Sequence, residues 1–187
     1  MKLLIAMVLT MILPSIALAA EVTQQLGPYT VSFDMNTNMN YQVQKDEPME
    51  TPFYTGYPML VITDNNTASR IMVTKYKNQT DSTPAMDRTV TSLTMALRGL
   101  NVTSSEDRLI DGKMGFVLIG EPFPGNEALP SPSQYAQASY WTDSEKCECG
   151  PVSLGTENVV IMSTYPQDVT QGILKSIHVE KGQPAPQ

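Results

Sequence analysis

The sequence predicts an α+β fold, a largely antiparallel β-sheet covered by two main helices. Three observations predict it. Several short runs alternate apolar and polar residues, the period of a half-buried strand. Two other stretches, 84–100 and 166–177, change to helical spacing. Strand patterns follow one another through short turns, which join antiparallel neighbours.

The elements read in chain order as follows. Tyr29, Val31, Phe33 and Met35 alternate with Thr30, Ser32 and Asp34, so one apolar face points inward. After a polar Asn36-Thr37-Asn38 turn, Met39, Tyr41 and Val43 repeat the pattern. Met59-Leu60-Val61-Ile62 is continuously apolar and suits a central strand. Asp64-Asn65-Asn66 is turn chemistry, and Ile71, Met72, Val73 and Tyr76 supply the partner strand, so 58–77 reads as a hairpin. Met86, Val90, Leu93, Leu97 and Leu100 then fall at helical spacing. Thr83 is the N-cap, Pro84 the first helical residue, Asp87 an early acid, and Gly99 the stop. Thr89, Thr91 and Thr94 lower the intrinsic helix propensity, so packing must hold this helix.

Leu109-Ile110-Asp111-Gly112-Lys113-Met114 is a hairpin signal, with Phe116–Ile119 in the second arm. Residues 120–134 are rich in Pro, Gly and Ser and read as a long surface loop suited to contacts. Tyr135, Ala136, Ala138, Tyr140 and Trp141 make the next strand, 142–157 a polar connection, and Val159–Met162 a final buried strand. After Tyr165-Pro166, Val169, Ile173 and Ile177 mark a second amphipathic helix, which Gly172 weakens. Phe33, Val61, Val90, Leu97, Val117, Ile161 and Ile173 are expected to be buried together. On that reading Leu97→Ala costs about 2–5 kcal/mol.

The ends and the composition set the class of protein. Met1-Lys2, the apolar run Leu3–Leu13, broken by Thr10 alone, and Ala17-Leu18-Ala19 have the form of a secretory leader. Cleavage is expected after Ala19, leaving one domain over 20–181 and a disordered tail over 182–187, with no membrane span after cleavage. The expected location is extracytoplasmic, at the cell envelope. With 12 Lys+Arg against 19 Asp+Glu, the net charge is −7, and no basic cluster offsets it. Such a field repels phosphate backbones, so nucleic acid is excluded as a partner.

The arrangement resembles the PsbP-like fold family. Three places carry the resemblance: Gly27–Phe33 as the opening strand, 84–100 as the central helix, and Ile161–Val169 running into Gly172–Ile177 as the closing strand and helix. The resemblance implies an α/β sandwich, and its members are mostly noncatalytic binding or accessory proteins. It places no functional residue, since a shared fold does not fix a shared job.

Cys147-Glu148-Cys149 is the most distinctive chemical feature. It can form a disulfide across one residue, offer two thiolates to a metal, or stay a thiol pair for redox exchange. A local disulfide staple that can be replaced by serines without loss of fold is the expectation, with the metal or redox protein as the alternative. His178 is the single histidine, expected at the surface at the end of the last helix. Met35, Met39 and Met49 could hold Cu(I) but fit core packing better, and Asp34, Asp46 and Glu47 have no fixed separation. Asn65, Asn78 and Asn101 open N-glycosylation sequons in expected turns or helix flanks, which suits a structural envelope glycoprotein as a third reading. No nucleophile elbow, P-loop or His-Glu-x-x-His motif is present, so neither catalysis nor a cofactor is expected. The expected partner is an envelope or extracellular protein, or a small ligand.

Overall fold

The computed structural model describes residues 21–63, 67–82, 84–125, 134–143, 145–146 and 153–182. The chain order is β1 (Glu21–Leu26), β2 (Tyr29–Asp34), β3 (Tyr41–Lys45), β4 (Met49–Glu50), β5 (Tyr54–Thr63), β6 (Ala68–Ser82), α1 (Pro84–Leu97), β7 (Leu100–Ile110), β8 (Lys113–Pro122), β9 (Tyr135–Trp141), β10 (Glu145–Lys146), β11 (Ser153–Ser163), α2 (Gln167–Ser176) and β12 (His178–Lys181). The α+β class and the antiparallel pairing expected from the sequence are both present. The strands form two sheets where one was expected. The small one has the order β1-β2-β12, and the large one runs β3-β5-β6-β11-β9-β8-β7. Residues 1–19, read from sequence as a leader, Ala20, expected to start the exported chain, and the tail beyond Gly182 lie outside the described residues.

The principal core lies between the sheets. Tyr29, Val31 and Phe33 of the small sheet meet Val61, Val73, Val117 and Ile161 of the large one, and α2 adds Val169, Ile173, Leu174 and Ile177. The period-two pattern of β2 and the helical spacing of α2 are thus satisfied against one another. Strand β1 was not legible. Its apolar content is Val22 and Leu26 alone, both buried, and it returns into β2 through Gly27. Gly27 has φ +57, and a Cβ there would meet the Tyr57 ring at 2.2 Å, so the turn requires glycine. The Asp111-Gly112 hairpin is as expected, with φ +51 and +68 at its two central residues.

Four expectations need correction. Helix α1 forms where predicted but with its apolar stripe turned outward: Val90 and Leu97 are exposed, the latter by 90 %. Its inward side carries Arg88 and Met95. Arg88 pairs with Asp107 and lies over the Phe116 ring at 5.6 Å, while Met95 joins Leu100, Phe116 and Leu118 in a second, smaller core. Strand β8 continues to Pro122, so the loop expected from 120 begins later, and most of it, 126–133, lies outside the described residues. Strand β11 begins at Ser153, well inside the stretch read as a polar connection. His178 opens β12 and pairs with Ser32, so it sits on a sheet edge strand rather than on the end of a helix.

Candidate functional site

The large sheet has two faces with different fates. One is sealed by the small sheet and α2. The other carries α1, which packs mainly on β7 and β8, touches β9 through Asp87–Trp141 and β11 through Arg98–Met162, and leaves the β5-β6-β11 half partly open. Leu60, Ile62, Met72, Val160 and Met162 on that half are half-buried. The register explains their alignment. Leu60 pairs with Arg70, Arg70 with Met162, Met162 with Gln137 and Gln137 with Leu118, so one row crosses the sheet from the open half to the floor beneath α1.

Where that row passes under the C-terminal end of α1 there is a pocket of about 320 Å³. Leu60, Met95, Leu100 and Met162 give it apolar walls, Tyr135 and Ala136 line it from β9, and Arg70 and Arg98 stand at its polar edge. The Arg98 guanidinium donates one N–H to the Met162 sulfur at 3.4 Å, a poor acceptor, and among the described residues it pairs with no carboxylate. Arg70 is 3.9 Å from Asp46, beyond hydrogen-bonding distance, with both side chains about half exposed (48 % and 47 %). In a chain of net charge −7, two guanidiniums beside an apolar cavity are a local reversal of sign.

A second polar cluster is structural. Between Gly155 and Glu157 the register of β11 against β6 shifts, with Thr156 alone facing the four residues 76–79 of β6. Asp143 caps this irregularity by accepting the backbone N–H groups of Thr156 (2.9 Å) and Glu157 (2.9 Å). Strand alternation puts Glu157 on the same inner face as Val159 and Ile161, and its carboxylate accepts from Lys75 at 3.0 Å and Lys181 at 2.7 Å. Burial raises the pKa of Glu157, but the lysine hydrogen bonds outweigh it and hold the group at about 2. A third cluster surrounds Asp111, which accepts the Val179 N–H at 2.9 Å and the Tyr140 hydroxyl at 3.3 Å, and meets His178 Nδ1 at 2.7 Å. Hydrogen bonding to Asp111 and its charge raise the His178 pKa, and burial with the nearby Asp111 raises that of Tyr140.

Among the described residues, those singled out from sequence do not converge. Cys147, Cys149 and Asn65 lie outside the described residues. Asn78 and Asn101 are exposed, on the strands β6 and β7 that flank α1 in the chain and not in turns. Met35 is buried in the core, Met39 packs at its margin and Met49 is exposed on β4. Asp34 ends a strand of the small sheet, whereas Asp46, beside Arg70, belongs to the margin of the large one. Among the described residues no group of three or more His, Cys, Asp or Glu side chains could hold a metal, and no helix is long and apolar enough to cross a membrane. Arg70 and Arg98 were missed because each is a lone charge among uncharged neighbours, and only sheet register and the helix end bring them together. Comparisons with protein families, with characterised proteins and with solved structures return no match.

Proposed function

We propose that this is an extracytoplasmic, noncatalytic binding protein whose pocket takes a small amphipathic molecule with an apolar body and a carboxylate head. The observation that carries the reading is the Arg98 guanidinium, without a carboxylate partner among the described residues, at the edge of an apolar cavity. A guanidinium fork matches the two oxygens of a carboxylate, and apolar walls bury the rest of the ligand. The volume is near the small end of ligand pockets, about 300–1,000 Å³, and suits a medium alkyl chain or a single ring system. The leader-like opening supports a place outside the cytoplasm, and the PsbP-like resemblance supports binding over catalysis.

Titration calorimetry with decanoate, decanol and decylamine tests this. Decanoate should bind, and the neutral and cationic analogues should bind about tenfold or more weakly, a difference of ~1.4 kcal/mol. Arg98→Met should remove that preference, and Ala136→Trp should block the cavity. If the three ligands bind equally, the carboxylate assignment fails. If none binds, the pocket is not the site.

A further inference from the structure

Helix α1 presents an apolar stripe to solvent. Met86, Val90, Leu93 and Leu97 are 59, 55, 60 and 90 % exposed, although they are the large apolar residues of the outer face. At 100° per residue they lie within one narrow band, opposite the inward-facing Arg88 and Met95. Monomeric proteins seldom leave a contiguous band of this kind uncovered.

We infer that two copies of the chain associate through α1, packed antiparallel about a two-fold axis. The first argument is spacing. The stripe steps by 4, 3 and 4 residues, a coiled-coil seam that reads the same in both directions. An isologous contact needs such self-complementarity, because the same patch must meet itself. With the axis midway between Val90 and Leu93, Val90 of each copy meets Leu93 of the other, and Met86 meets Leu97.

The second argument is charge. Two acidic chains repel unless the contact is neutral or complementary. The helix flank with Thr89 and Ala96 is uncharged, and the other carries Asp87, Thr94 and Arg98. Antiparallel pairing brings each Arg98 opposite residue 85 of its partner, about 3 Å along the axis from the partner's Asp87 at 1.5 Å per residue. Each shared flank therefore carries one acid and one base from each copy and is neutral overall, with Arg98 still at the pocket and Asp87 still on the Trp141 N–H.

The third argument is area. Four side chains on one helix fall short of the roughly 800 Å² per partner of a standard interface. The exposed apolar surface continues at both helix ends. Phe123, 42 % exposed, donates its N–H to Gly99 O (3.0 Å) just past the C-terminus of α1. The paired Leu109 and Met114, also exposed, lie two residues along the ladder from the Asp107–Phe116 pair that Arg88 holds near the N-terminal end. The two-fold brings the Phe123 end of one copy over the Leu109–Met114 end of the other. The resulting contact belongs to the weak or moderate class, with dissociation in the micromolar range.

Sedimentation equilibrium on the exported protein between about 1 and 200 µM should show a monomer–dimer equilibrium. Leu93→Glu should be monomeric throughout, with an unchanged circular dichroism spectrum and, compared with wild type at submicromolar concentration where both are monomeric, an unchanged melting temperature. Mixing Val90→Cys with Leu93→Cys protein under oxidation should give a 90–93 intermolecular disulfide on peptide mapping. The inference is overturned if the wild type stays monomeric, or if Leu93→Glu still dimerises. It is also overturned if that variant unfolds or melts markedly lower at that concentration, since the stripe would then serve the chain's own core. A crosslink joining like positions in place of 90–93 would overturn the antiparallel register.

Discussion

Asp111 does three jobs with one side chain. Its backbone takes φ +51 in the turn between β7 and β8, a conformation Asp tolerates better than most residues. Its carboxylate accepts from Val179 on β12 and Tyr140 on β9, and pairs with His178. Removing it leaves the buried Tyr140 hydroxyl without that acceptor, so Asp111→Ala should destabilise by about 2 kcal/mol or more in urea unfolding. His178→Ala should cost less than about 1 kcal/mol, since that side chain is 61 % exposed and its ion pair is screened. The sign of the pH effect follows from the raised His178 pKa. Its stabilisation is present below the ordinary histidine value of 6.5 and is lost as pH rises through the folded value. Wild type and His178→Ala should therefore differ most in the mildly acidic range and converge at alkaline pH. A gap that widens with rising pH would refute the Asp111–His178 pairing. The turn was legible in sequence as Asp-Gly between apolar runs. The partners of Asp111 were not, because they lie 29 and 68 residues away.

At the scale of the element, the two helices show what an apolar period can and cannot tell. It located both. For α2 it also gave the buried face, since Val169, Ile173 and Ile177 enter the core between the sheets. For α1 it gave the wrong face. The inward side is held by a cation over an aromatic ring, an ion pair, the Trp141 N–H donating to Asp87 at 2.7 Å and the single large apolar residue Met95. None of those has a periodic signature. The stability consequence is direct. Ile173→Ala should cost about 2–5 kcal/mol, because the side chain is fully buried and leaves a cavity. Leu97→Ala should cost no more than about 0.5 kcal/mol in the monomer, because the side chain already lies in water. Unfolding both variants at submicromolar concentration checks the orientation of α1, and a Leu97→Ala cost comparable to that of Ile173→Ala would reverse it. The candidate site was illegible for a related reason. Leu60 and Met162 were readable as strand residues, but the openness of their face depends on how little of the sheet α1 covers.

For the whole molecule, the question is what keeps the small sheet on the large one. Most of the answer is apolar, the shared core of β2, β12, α2 and the inner face of the large sheet. Two carboxylates add ties between the sheets. Asp111 holds the start of β12, and Glu157 on β11 takes Lys181 from the end of β12 together with Lys75 from β6. Glu157 is 8 % exposed, and its pKa is held at about 2 against an ordinary 4.5, so its charged form is favoured by the fold. A depressed carboxylate contributes stability that is complete above the ordinary value and lost as pH falls from 4.5 towards about 2. Urea unfolding should accordingly show a steep loss of stability across that window. Glu157→Gln should be less stable than wild type at neutral pH by about 1–3 kcal/mol, having lost two charge-assisted hydrogen bonds. It should also lose much less on acidification, so that the two proteins converge towards pH 2. Hydrogen exchange adds a spatial check, because the tie ends on β12. The amides of β12 that bond to β2 should lose protection in the acid window before those of the central strands β6 and β11. Parallel stability curves for wild type and Glu157→Gln would remove Glu157 as the acid-sensitive tie and leave the apolar core as what joins the two sheets.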